Sequence, residues 1–227
     1  MAQTSINAII GFKLKNIVPN KKQLLTSIII GMMLPDLDFI IEYIINLTST
    51  NYQLHNSIFH SIFMIPFIGL IILIYSEYKS KNKLKIISIG ISIGMVLHII
   101  LDVITLQSIG LFSPLFDVKQ NFNLKEYFNI DLNKNFERIL YSFEFLFFRI
   151  YGWLLINKII QKPKNNANLI NKINLWMKLE LYIFVLLILF IYFGVNDMIF
   201  TNIYGILYIP SFLFALYITY KMRKTLN

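Results

Sequence analysis

"GMMLPDLDFIIEYI", residues 31–44, sets a proline and two aspartates inside a run that is otherwise apolar enough to cross a membrane. Carboxylates in hydrocarbon are expensive, so Asp36 and Asp38 demand a cavity or a partner. Pro35 gives a local reason for one. Proline removes an N–H and interrupts the preceding hydrogen-bond ladder, so the span is predicted to break here and restart as a half-helix whose positive end faces both carboxylates. Broken helices at membrane depth are tolerated where they line a water-filled cavity.

The rest of the chain places this stretch in a membrane protein. Of 227 residues, 56% are hydrophobic and 15% aromatic, and the mean hydropathy is +0.62. Soluble domains run at roughly 45–50% apolar. Segments near the required length of about 20 apolar residues recur six times, at 23–46, 58–77, 84–106, 138–158, 179–196 and 198–220. The expected fold is therefore an all-α polytopic bundle of about six spans, the first broken near Pro35. Two parts are expected: residues 1–137, bearing the motifs and ending in an extracytoplasmic cap loop at 107–137, and a three-span part at 138–227. Residues 161–172, "QKPKNNANLINK", read as a polar linker.

The net charge of +9 is gathered between apolar segments, at Lys13, Lys15, Lys21 and Lys22, at Lys79, Lys81, Lys83 and Lys85, at Lys158, Lys162, Lys164 and Lys172, and at Lys221, Arg223 and Lys224. Clusters at alternate span ends follow the positive-inside rule and place both termini in the cytoplasm. This pattern speaks against a nucleic-acid partner, because no basic helix stands free of the spans. The expected surroundings are the lipid bilayer and a lipid or lipid-like substrate. No cleavable leader is expected, and the first span is read as the targeting signal. The chain has no cysteine, so any metal must be held by His, Asp or Glu.

All three histidines and three span aspartates fall in the first part. In "HIILD", His98 and Asp102 are four residues apart and share a helix face, which Thr105 continues. In "HNSIFHS", His55 and His60 are five apart, about 140° around a helix. Convergence then requires His55 in the outer loop and His60 in the first turns of the second span. Asp38 and Glu42 are four apart on a restarted helix. Three imidazoles with two or three carboxylates form the ligand set of a divalent-metal hydrolase site, zinc first, with manganese or iron also fitting. The expected ligands are His55, His60, His98 and Asp102, with Asp36 or Asp38 as ligand or general base. Thr105, Ser61 and Glu42 are expected to support them. Taken singly, each residue serves equally well as an interhelical hydrogen bond.

The ordered motifs "GMMLPDLD" at 31–38, "HNSIFHS" at 55–61 and "HIILDVIT" at 98–105, followed by Pro114, resemble the YdjM-type membrane-bound metal-dependent hydrolases, also described as LexA-binding and inner membrane-associated. The resemblance covers about residues 5–116. It implies an inner-membrane location and a metal-site role for Asp36, Asp38, His55, His60, His98 and Asp102, with Thr105 in support, but no substrate. Asn56, Ser57 and Phe59 replace the family's Arg, Gly and Thr, Ser108 stands where Gly is usual, and Asn7 stands where an early histidine is expected. Two other readings stay open: an ion- or proton-coupled transporter, in which the same groups form a relay, and a divergent membrane protein without metal.

Overall fold

The computed structural model describes residues 3–19, 21, 23–48, 58–105, 110–113, 133–161 and 166–226. Every regular element among them is helical, and the chain divides into two compact units, residues 1–131 and 132–226.

The first unit holds α1 (Thr4–Lys13), α2 (Leu24–Met33), α3 (Leu37–Thr48), α4 (Met64–Tyr78) and α5 (Asn82–Ile104). A 3-10 turn, Leu34–Asp36, joins α2 to α3. This is the break expected at Pro35, and α2 through α3 still make one membrane-length segment, 24–45. Its centre is the α2–α5 pair, which packs backbone to backbone. A Cβ on Gly90 would lie 2.6 Å from the Ser27 Cβ, and one on Gly94 would overlap the Ile28 carbonyl oxygen. Small residues at such a seam let helices approach closely inside a membrane, where lipid gives little apolar drive to association. The two helices run parallel, because Gly90 meets Leu24 and Ser27, Gly94 meets Ile28 and Gly31, and His98 meets Met32. α1 runs antiparallel over α2, its Gly11 against Ile29 and Met32. α4 folds back along α5, fixed by Ser88 donating to the Gly69 carbonyl at 2.8 Å and by a Glu77–Lys85 ion pair at 2.7 Å.

The segment expected to span from residue 58 becomes helical only at Met64. Residues 58–63 turn instead, because their polar groups are engaged by residues 111–113. Ser61 Oγ donates to the Ser113 carbonyl at 2.5 Å, and Ile62 N donates to the Leu111 carbonyl at 3.0 Å. The 15 residues left in α4 rise about 22 Å, short of a full crossing. His60 therefore sits in this turn and not in the first turns of a helix, as the sequence reading has it.

The second unit holds α6 (Lys134–Ile160), α7 (Ala167–Tyr192) and α8 (Asp197–Lys221), each long and apolar enough to cross a membrane. Each opens on an asparagine whose side chain accepts from the first turn: Asn133 from Asn135 N, Asn166 from Leu169 N and Asn196 from Met198 N. The expected linker at 161–172 is thus shorter. Helix α7 begins at Ala167, and its 26 residues rise about 39 Å, so its polar first turns fit outside a hydrocarbon layer of about 30 Å. Likewise residues 134–137, expected in the cap loop, open α6. Phe145, Phe148, Tyr151, Ile173 and Phe212 are fully buried, and the Tyr151 and Thr219 hydroxyls lie 2.7 Å apart. The interfacial cap expected over most of 107–137 lies outside the described residues.

Candidate metal centre

The parallel packing of α2 and α5 brings Asp36, just beyond the end of α2, beside His98 and Asp102 in the last turns of α5. The 58–63 turn adds His60. All four side chains are buried. The Nε2 atoms of His60 and His98 are 3.1 Å apart. Asp102 Oδ2 lies 3.0 Å from the Nε2 of His98 and 3.3 Å from that of His60, and Asp36 Oδ1 lies 3.7 and 3.8 Å from the same two nitrogens.

The other ring nitrogens fix where one hydrogen of each imidazole lies. His98 Nδ1 is 2.6 Å from the Met32 carbonyl oxygen, which can only accept, so Nδ1 carries the hydrogen. That carbonyl is accessible because a 3-10 turn bonds i to i+3, so the last carbonyls of α2 lose their regular i+4 partners. His60 Nδ1 likewise donates to Asp38 Oδ2 at 2.9 Å. In the neutral imidazoles both Nε2 atoms are then lone-pair acceptors, and they face carboxylate oxygens. Two Nε2 atoms and two carboxylates converge on this buried point, and Asp102 Oδ1 has no hydrogen-bond partner among the described residues.

Such a donor set fits a small divalent cation. Metal bonds of roughly 2.0–2.1 Å to nitrogen and oxygen give tetrahedral ligand–ligand edges of about 3.3–3.4 Å. The distances of 3.1–3.8 Å among Asp36, His60 and His98 bracket that value. Asp36, His60 and His98 offer three ligand atoms all within 4.8 Å of one another, a group that can hold a metal ion. Donation of each Nδ1–H to a carbonyl or carboxylate is also the arrangement that orients metal-binding imidazoles.

The two aspartates of the opening stretch separate as their 200° spacing requires. Asp36 faces the Nε2 pair, whereas Asp38 grips the far nitrogen of His60. Thr105 Oγ1 donates to the Asp102 carbonyl at 3.2 Å, and Ser61 ties the His60 turn to residues 111–113. Glu42 lies part-exposed on α3. His55 falls outside the described residues. Two residues were not singled out by their own chemistry in the sequence. Thr4 Oγ1 donates to Asp36 Oδ2 at 2.5 Å, and Asn7 is wholly buried with its carboxamide 2.9 Å from His98 Nδ1. They share the i, i+3 spacing of polar residues on α1, and Asn7 is also the position where the resemblance expects a histidine.

No curated protein and no solved structure matches the chain. A family model described as YdjM inner membrane protein matches residues 3–203. Among the described residues five helices are long and apolar enough to cross a membrane, which agrees with a multi-pass protein of the inner membrane. The match spans the α1–α5 unit with its buried histidines and aspartates and most of the second unit, and the chain belongs to the YdjM inner membrane protein family.

Proposed function

We propose that the protein is a membrane-bound metal-dependent hydrolase that works near the extracytoplasmic face on a lipid-derived phosphoester, ester or amide. The observation that carries this reading is the convergence of the two Nε2 atoms of His60 and His98 with the carboxylates of Asp36 and Asp102 in one buried space. Asp36, His60 and His98 would hold the ion, zinc being the first choice for this donor set and manganese or iron also compatible. A bound ion supplies an acidified water and a Lewis acid for a carbonyl or phosphoryl oxygen. Three protein ligands leave a coordination position open for chemistry.

Asp102 is then the general base. Its oxygens have no other hydrogen-bond partner, and it stands within hydrogen-bond reach of both Nε2 atoms, so it can take a proton from the attacking water and return it to the leaving group. Asp38 and the Met32 carbonyl hold the two imidazoles in the tautomer that presents Nε2. These assignments exchange the roles first expected for Asp36 and Asp102 and make Asp38 a positioning residue.

Two features support the depth and the substrate class. Lys13, Lys15, Lys21, Lys79, Lys81, Lys83 and Lys85 lie toward the other end of the first unit, with Lys85 about 20 Å along α5 from His98. With lysines on the cytoplasmic side, the histidines and aspartates fall at the outer end of the spans. Around the His60 turn, Ile58, Ile62, Phe63, Ile100, Ile104 and Phe112 are exposed apolar side chains, surroundings suited to a bilayer-dissolved substrate.

The test is hydrolysis of a panel of lipid phosphoesters, esters and amides in nanodiscs, before and after chelation and zinc return. Turnover lost on chelation, restored by zinc and absent in Asp102→Asn is expected. Turnover indifferent to chelator would overturn the proposal.

The transporter reading has one specific observation in its favour. Glu180 on α7 is fully buried in the second unit, its carboxylate beside the Ser211 hydroxyl and the Trp176 indole. Intramembrane acids of this kind mark ion or proton paths. Ion flux in liposomes that Glu180→Gln abolishes, with no hydrolysis of any lipid, would favour transport.

A further inference from the structure

We infer that α1 is a positioning clamp for the metal centre, Thr4 fixing the rotamer of Asp36 and Asn7 the orientation of His98; this rests on the metal reading above. The two residues are three apart and lie on one face of α1. That face is pressed onto α2 by Gly11, where a Cβ would lie 3.0 Å from the Met32 sulfur and 3.3 Å from the Ile29 Cα. Thr4 donates to Asp36 Oδ2, which leaves Oδ1 as the oxygen that faces the two Nε2 atoms. Ordering a carboxylate in this way removes the rotamers in which it would turn from the ion.

Asn7 acts on the opposite side. Its Nδ2 lies 2.9 Å from His98 Nδ1, and its Oδ1 is buried without a hydrogen-bond partner among the described residues. Because Nδ1 already carries the hydrogen it donates to Met32, two donors would face each other. The stable orientation of the amide is the reverse, with Oδ1 accepting from Nδ1–H beside the Met32 carbonyl. That arrangement gives Oδ1 a partner and adds a second acceptor holding the ring. Neither residue touches the space between the Nε2 atoms, so both act through Asp36 and His98.

Cobalt(II) titration of detergent-purified protein, followed by visible absorption, tests this with four variants. Thr4→Val and Asn7→Leu are expected to weaken cobalt binding 10- to 100-fold, the range for removal of groups that orient ligands. Thr4→Ser keeps the hydroxyl and is expected within about threefold of the wild type on the same scale, whereas Asn7→Asp keeps the acceptor but adds a buried negative charge, so it is expected to bind cobalt more tightly than Asn7→Leu. The metal-free thermal midpoint is expected to fall in Thr4→Val, which leaves Asp36 Oδ2 without this donor, and to stay near the wild-type value in Thr4→Ser and in Asn7→Leu, where His98 Nδ1 keeps the Met32 carbonyl. Wild-type affinity in Thr4→Val and Asn7→Leu would overturn the clamp alone. Affinity loss in Asn7→Leu that tracks a lowered metal-free midpoint, or equal affinity losses in Thr4→Val and Thr4→Ser, would reduce α1 to a structural element and overturn it as well. A wild-type protein that binds no cobalt would overturn the metal reading and the clamp together.

Discussion

The Nε2 atoms of His60 and His98 face each other at 3.1 Å although 38 residues separate them in the chain. With Nδ1 of His60 beside Asp38 and Nδ1 of His98 beside the Met32 carbonyl, both Nε2 atoms and two carboxylates converge on one buried point. In the metal reading a cation occupies that point. Zinc at 100 times its dissociation constant should therefore stabilise the fold by about 2.7 kcal/mol, read as a raised thermal midpoint in detergent. Magnesium, which prefers octahedral oxygen ligands, should raise it far less.

Asp38 shapes the centre through His60 and not through the ion. Asp38→Ala should lower zinc affinity 10- to 100-fold, while Asp38→Asn, whose carbonyl still accepts from Nδ1–H, should lower it less. Competition against a chromophoric chelator gives both values. Equal losses in the two variants would make the charge, not the hydrogen bond, the contribution of Asp38.

The α2–α5 seam sets the height of Met32 against His98, so the centre depends on glycines that touch no ligand. Gly94→Ala would drive a methyl into the Ile28 carbonyl oxygen and should destabilise the protein by about 1–3 kcal/mol, with zinc affinity falling as the Met32–His98 bond stretches. Gly69→Ala meets the Ser92 hydroxyl at 2.9 Å, a side chain that can turn away, and the Ser88 hydroxyl at an ordinary 3.6 Å, and should be milder in both respects. Thermal unfolding and zinc binding on the two variants check the order.

Tyr151→Phe in the second unit removes the hydroxyl pair with Thr219 and should destabilise by about 1 kcal/mol. Zinc content should not change, because the second unit contains no histidine. Metal loss in this variant would mean that the centre draws on more than the first unit.

What the sequence made legible follows from how far each signal travels along the chain. His98 and Asp102 share a face because they lie on one uninterrupted helix, where four-residue spacing is enough. The break at Pro35 was equally local. The division of labour between Asp36 and Asp38 was not, since it depends on which side of a single imidazole each meets. Thr4 and Asn7 reach across 32 and 91 residues with neutral side chains that carry no metal-ligand signature. The start of α7 was misread because asparagine and lysine look like linker, although an Asn166 cap and the length of the helix carry those residues beyond the hydrocarbon.

The most direct test of the metal centre is elemental analysis of protein purified in detergent without chelators, wild type against His98→Ala. The wild type should carry about one divalent ion per chain, as a single three-ligand catalytic site requires, and His98→Ala should carry little or none. A wild-type protein free of zinc, manganese and iron, or equal metal in the two proteins, would contradict the proposed centre.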